Sequence, residues 1–244
     1  MPRPSLKENV VAAALGQFHR RGYNGSGVKD ITDAAGLPKG SFYNYFSSKE
    51  DMALEALQRY GVGREFGRLK DPSLPPLARL RAHFVFLGED VLRVGVECGC
   101  MLGNFATEIA GQSPVLRDAV AGGFARWAEA VTEVLREAVA AGELGADRDL
   151  DLIARTLIRG WEGTVLHAKV TGELRPEEFF AGVFDPLLGT PTRSCVAMVA
   201  IATIATHEGQ CAGVAGSSRV AARCASCPLL GGSLPRRACS VSTR

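Results

Sequence analysis

Two short stretches carry side chains whose types and spacing suit chemistry. The first runs Gly36-Leu-Pro-Lys-Gly-Ser-Phe-Tyr-Asn-Tyr-Phe-Ser-Ser-Lys49. On a helix that begins near Lys39, Phe42 and Phe46 lie four apart and turn toward a core. Lys39, Ser41, Tyr43 and Asn44 then point elsewhere, and each can hydrogen-bond to a phosphate or a base edge. Gly40 lets the backbone approach a partner closely. Lys49 stands at the start of the following helix, where free N–H groups and a positive charge suit a phosphate. The same pattern also fits a solvated helical hairpin with Tyr43 and Tyr45 half buried.

The second stretch is Cys98-Gly-Cys100-Met-Leu-Gly-Asn-Phe-Ala-Thr-Glu108. A thiol responds to electrophiles through its accessible thiolate, which a cation or a helix N-terminus favours. Cys100 lies just before a helix start expected at Gly103 to Phe105. Lys169, the only lysine beyond Lys70, sits with His167 on an otherwise apolar stretch. A buried, inert Cys100 and a Lys169 that reaches to solvent are the alternatives. Cys98 is a weaker candidate for a resolving thiol, since Cys-x-Cys sulfurs sit awkwardly for a relaxed disulfide.

Enzyme chemistry finds little support. Lys39-Gly40-Ser41 lacks the Gly-Lys-Ser order and glycine spacing of a phosphate loop. His19, His83, His167 and His207 form no metal-binding helix motif, and no nucleophile elbow occurs. Cys224-x-x-Cys227 lacks regularly spaced partners for zinc, so no metal and no cofactor are expected.

The elements that must position these groups read as helix after helix. Leu6, Val10, Val11, Ala14, Leu15 and Phe18 recur at helical spacing behind a Ser5/Glu8 capping box, and Gly22 ends the run. A short helix fits Val28 to Ala35, and Gly36 to Pro38 breaks it. Ser47 and Glu50 suggest a second capping box, opening a helix through Met52, Ala53, Ala56, Leu57 and Tyr60. After Pro72, Pro75 and Pro76 come helices from about Leu77 to Val94, from Ser113-Pro114 to Gly142, and from about Asp149 to Val170. Arg175-Pro176-Glu177-Glu178 opens a last short one. No segment alternates as a half-buried strand would, so the fold class is all-α.

Charge argues for a local contact and against a polyanion coat. The net charge is +2, and residues 1–60 hold eight Lys/Arg against six Asp/Glu. Polar residues interrupt every N-terminal apolar run. The longest later one, near Cys195 to Ala205, is far short of the ~20 residues of a membrane span. Only two of seven cysteines precede residue 190, which favours a reducing compartment and a cytoplasmic location. Residues 191–244 contain no Phe, Trp, Tyr or Lys and read as a disordered, Cys-containing tail.

The run Gly36 to Lys49, with Ile31-Thr-Asp-Ala-Ala35 before it and a helix after it, closely resembles the signature of the TetR family of repressors. That resemblance covers residues 5–60 specifically and extends to about 188 by helix number and length. It implies an N-terminal three-helix helix-turn-helix domain (1–47) and a C-terminal helical ligand and dimerisation domain (48–190), followed by the tail (191–244). It further implies a homodimer on a palindromic double-stranded operator, with no membrane partner. By the same likeness Lys29, Lys39, Gly40, Ser41, Tyr43, Asn44, Tyr45 and Lys49 fall at positions that touch DNA. Lys39 and Asn44 are the candidates for base edges, Tyr43 and Lys49 for phosphates.

In the second half, helices 77–94 and 114–141 would wall a ligand pocket lined by Phe84, Phe86, Phe105, Phe124 and Trp127; ordinary core is the other reading. The Gly-Cys segment resembles that of electrophile- and oxidant-responsive members, such as the N-ethylmaleimide-responsive repressors. That likeness would bring Cys100 and Lys169 together, and makes an electrophile or a small molecule the expected inducer. Helices 149–170 and 176–188 are expected to form the dimer seam through Trp161, Val165, Phe179, Phe180 and Phe184, unless those faces pack within one chain.

Overall fold

A computed structural model describes residues 5–63 and 66–189, and every regular element in it is helical. Helix α1 (Leu6–Arg21) starts at the reciprocal cap: Glu8 N–H donates to Ser5 Oγ and Ser5 N–H to Glu8 Oε2, both at 3.2 Å. Its Val10, Val11, Ala14 and Phe18 are buried. Helix α2 (Val28–Ala34) ends where Gly36 takes φ +69°, a conformation that strains residues with a side chain. There the N–H groups of Gly36 and Leu37 turn back to the carbonyls of Asp33 and Thr32 at 3.0 and 2.9 Å. This closes α2 sharply and fixes where the next segment begins.

That next segment departs from expectation. Lys39–Asn44 is a 3₁₀ helix, not the start of an α-helix reaching Phe46. Gly40, Ser41, Tyr43 and Asn44 are weak helix formers, and the Gly-Leu-Pro turn leaves only eight residues before the Ser47-Ser48 cap. The cap itself is displaced by one residue. Asp51 N–H donates to Ser48 Oγ at 3.0 Å, opening α3 (Lys49–Gly63), while Glu50 accepts a hydrogen bond from the Ser113 hydroxyl.

A 3₁₀ turn (Phe66–Lys70) leads to α4 (Pro76–Val94). Then follow α5 (Met101–Ile109), α6 (Pro114–Ala140) and α7 (Leu150–Thr171). The last stretch is α8 (Pro176–Phe179), a π turn (Phe180–Phe184) and α9 (Asp185–Leu188). Pro114 follows the Ser113 cap, whose Oγ accepts from Leu116 N–H at 3.1 Å. Helix α6 packs against α4, α5, α3 and α7, so it is the spine of the body. Helix α5 begins at Met101 with Cys100 as its N-cap, two residues earlier than expected.

The aromatic residues assigned to a dimer seam turn inward instead. Trp161 and Phe179 are fully buried, with ring centroids 5.3 Å apart and 5.7 and 4.9 Å from Phe84. Phe184 and Val165 are buried too, and Phe180 is half-buried beneath the Arg81 guanidinium. Helix α7 carries a second apolar row that stays exposed: Leu152, Leu166 and Val170, the last 85% exposed. Periodicity marked one apolar face, and the chain's own core takes it.

No helix among the described residues is long and apolar enough to cross a membrane. Among them, no three His, Cys, Asp or Glu side chains group as a metal site. The tail cysteines, Cys224 and Cys227 among them, and the expected disorder of 191–244 lie outside the described residues.

Candidate nucleic-acid interface

The 3₁₀ segment is anchored by aromatic burial. Phe42 is fully buried and Phe46 nearly so, their ring centroids 5.7 Å apart. This anchoring leaves Lys39, Gly40, Tyr43 and Asn44 exposed, with Tyr43 61% exposed although its ring meets Phe42 edge-on. Ser41 and Tyr45 are half-buried.

The remaining two cations differ in setting. Lys29 lies on the exposed side of α2 and pairs with Asp33 at 2.5 Å, so a phosphate would have to compete with that carboxylate. Lys49 places its ammonium 4.1 Å from the centroid of the Tyr23 ring. Partial burial lowers its pKa, and Glu108 and Asp30 oppose that shift. Its ammonium stands at the N-terminus of α3, beside the α1–α2 turn.

Behind this surface lies a joint that the sequence did not announce. The Glu108 carboxylate of α5 accepts the backbone N–H groups of Tyr23 and Asn24 at 2.7 and 2.6 Å. Phe105, fully buried, packs against Phe18 at 5.7 Å and Tyr23 at 5.9 Å. His19 Nε2 bonds the Gly99 carbonyl at 2.7 Å. These contacts clamp the end of α1 to α5 and to the Cys98–Cys100 loop. They join residues about eighty apart in sequence, so no local pattern could have marked them.

The expected sensor residues are distributed around this joint. Cys100 is 3% exposed, and the Tyr60 hydroxyl donates to its sulfur at 3.6 Å while accepting from Met101 N–H at 3.2 Å. Lys169 lays its stem over Gly99, whose φ of +61° and missing Cβ leave it room. Its ammonium donates to Asn104 Oδ1 at 2.7 Å, and Asn104 Nδ2 donates in turn to the Cys98 carbonyl at 2.8 Å. So the lysine reaches the cysteine loop, but through an amide. Trp127 Nε1 donates to His83 Nε2 at 3.0 Å in the core, and Phe124 is half-buried. Two clefts among the described residues, about 990 and 310 Å³, are lined by none of Phe84, Phe86, Phe105, Phe124 and Trp127.

Burial and the nearby Glu97 raise the pKa of the Cys98 thiol, with Arg20 and Lys169 partly offsetting them. A raised pKa keeps the thiol protonated at neutral pH, and the protonated form is the unreactive one. Alkylation of Cys98 by a maleimide at pH 7 is therefore expected to be slower than that of a free cysteine peptide. Its rate should still be climbing above pH 9 when followed by peptide mass spectrometry. A plateau below pH 8 would mean that the cations win.

Comparison with known proteins places this geometry among regulators. Residues 10–56 match the family described as "Bacterial regulatory proteins, tetR family". Residues 76–184 match "Tetracyclin repressor-like, C-terminal domain". The HTH-type transcriptional repressor DhaR of Mycobacterium sp. (strain GP1) is 34% identical over 77% of this chain and 95% of its own length. The transcriptional regulator AcuR of Cereibacter sphaeroides is 39% identical over 70% of this chain and 78% of its own. The crystal structure of a regulatory protein TetR from Rhodobacter sphaeroides superposes with a TM-score of 0.67 at 34% identity, covering 75% and 97% of the two chains. The reduced form of NemR from E. coli, at 24% identity and a TM-score of 0.64, shares the fold, with 73% and 94% covered.

Proposed function

This chain belongs to the TetR family of transcriptional regulators, and from that premise we propose that it represses transcription as a homodimer on a palindromic operator and lets go when an inducer acts on its body. The observation that carries this reading is the surface formed by Lys39, Gly40, Tyr43 and Asn44, held outward by the burial of Phe42 and Phe46. Asn44 and Lys39 suit base edges, and Tyr43 and Lys49 suit the backbone. Each phosphate neutralised by a cation releases condensed counterions, so Lys49→Ala is expected to lower the salt slope of operator binding by about 0.9. Filter binding or fluorescence anisotropy across a salt series measures it. A slope equal to that of the wild type assigns Lys49 to its Tyr23 contact alone.

Two reading heads must sit a helical turn or a multiple of it apart, about 34 Å, and a dimer seam sets that distance. The exposed row Leu152, Leu166 and Val170 on α7 is the apolar surface that a second copy would cover. Those residues replace the inward-turned aromatics as seam candidates.

Release would pass through α5, because Glu108, Phe105 and Gly99 hold the α1–α2 turn. An electrophile arm rests on Cys100, the N-cap of α5, whose sulfur accepts from the Tyr60 hydroxyl. Its sulfur would add to one carbon of the electrophile's activated double bond as the π bond breaks, the thiol proton passing through solvent to the other carbon. The adduct would not fit the buried site beside Tyr60. If this holds, N-ethylmaleimide weakens operator binding by wild type and leaves Cys100→Ser unaffected in a mobility-shift assay. Equal release of both proteins removes Cys100 from the mechanism and leaves a non-covalent inducer.

A further inference from the structure

A cleft of about 310 Å³ opens between the end of α1, helix α5 and the end of α7. Arg20, Arg21 and Lys169 line it, and the one acid in its wall is Glu108. Both oxygens of Glu108 already accept backbone N–H groups at 2.7 and 2.6 Å. Neither arginine has a carboxylate partner among the described residues, and Lys169 is held only by the neutral amide of Asn104 at 2.7 Å. Three positive charges from two elements therefore converge on one small concavity whose single negative charge is engaged elsewhere. Arg20 and Lys169 line the same cleft, and both lie near enough to the Cys98 thiol to oppose the effect of Glu97 on it.

From this we infer that the cleft is an effector site for a small anion, a carboxylate or a phosphate monoester, gripped between Arg20 and Lys169. Its volume suits a head group with a few carbons attached, at the low end of the range for small-molecule sites. Guanidinium and ammonium groups together supply the fork and the point charge that such anions bind.

The site is wired to the reading head. Lys169 bonds Asn104, Asn104 bonds the Cys98 carbonyl at 2.8 Å, and the adjoining Gly99 carbonyl bonds His19 of α1 at 2.7 Å. An anion that draws Lys169 toward Arg20 takes it from Asn104 and frees that amide to turn. The loop that holds His19 then loses its brace. The effect on DNA rests on the repressor reading above, whereas binding of the anion does not.

Thermal melts of the full chain at constant ionic strength, with acetate or inorganic phosphate replacing chloride or with neutral acetamide added to the chloride buffer, provide the test. At about ten times its Kd, a ligand specific to the folded state should raise Tm by about 3–6 °C for a protein of this size. The expected result is a saturable rise with acetate or phosphate, none with acetamide, and loss of the rise in Arg20→Gln and in Lys169→Gln. Which anion saturates first tells a carboxylate effector from a phosphate one. A rise that never saturates, or that persists in both variants, overturns the site. In a parallel operator titration the saturating anion should weaken binding about fivefold or more in wild type and not in Arg20→Gln. If the wild type binds no DNA at all, the repressor reading fails while the melts still decide the anion site. A lower salt slope of operator binding for Arg20→Gln in anion-free buffer would put the DNA backbone in the cleft and overturn the proposal.

Discussion

Phe105→Ala is expected to destabilise the protein by about 3–5 kcal/mol, the usual cost of emptying a fully packed phenylalanine site. For a domain of this size that corresponds to a fall in Tm of roughly 6–20 °C. The reason is its position. Phe105 is fully buried, and its ring meets Phe18 and Tyr23 edge-on at 5.7 and 5.9 Å. Truncation opens a void between α1 and α5 at the place where Glu108 and His19 also bond across the joint. Operator affinity should fall along with stability, because the α1–α2 turn loses its support. Phe105→Leu, which refills most of the volume, should recover the greater part of both. Had Phe105 lined a ligand cavity, its removal would merely enlarge that space. A Tm within 2 °C of wild type would return it to that role.

The second large effect separates folding from binding. Gly40 has no atom of the protein within 4 Å of where a Cβ would stand, and it is not among the glycines with positive φ. Gly40→Val should therefore leave Tm within a degree or two of wild type, as an exposed substitution away from special geometry does. On the operator the added branches would meet base edges or backbone. The cost should resemble that of a mismatched base contact, about 1–3 kcal/mol, or roughly 5–150-fold in affinity. Gel shift or anisotropy against a fixed duplex reads it out. A valine variant that binds as tightly as wild type would show that this surface does not approach DNA.

Much of this architecture could be read from local patterns, and the reasons are physical. The Ser5/Glu8 box and the Ser113-Pro114 start each settle a helix end within four residues, so sequence alone locates them. Phe42 and Phe46 are buried as expected, although the segment is a 3₁₀ helix that stops before Phe46, so their α-helical spacing is not what turns them inward. Failures arose where two answers share one pattern. Ser47 and Ser48 are both capable caps, and the choice of Ser48 frees Glu50 to reach Ser113. Helix α7 has an apolar face through Ile153, Leu157, Trp161 and Val165 and a second row at Leu152, Leu166 and Val170. Periodicity marks the first without saying whether the chain's own core or a second copy covers it. The joint was illegible for a different reason. Glu108, His19 and Tyr60 act on partners 40 to 85 residues away, and only the packed chain brings them together.

Selection of genomic fragments by the purified chain, followed by footprinting and stoichiometry on the enriched sequence, tests the central reading most directly. The account predicts a shared two-fold symmetric site, its half-site centres about 10–10.5 base pairs or a multiple apart, bound by an even number of chains. A selection that enriches nothing over input, or a site without symmetry filled by a single chain, would contradict it.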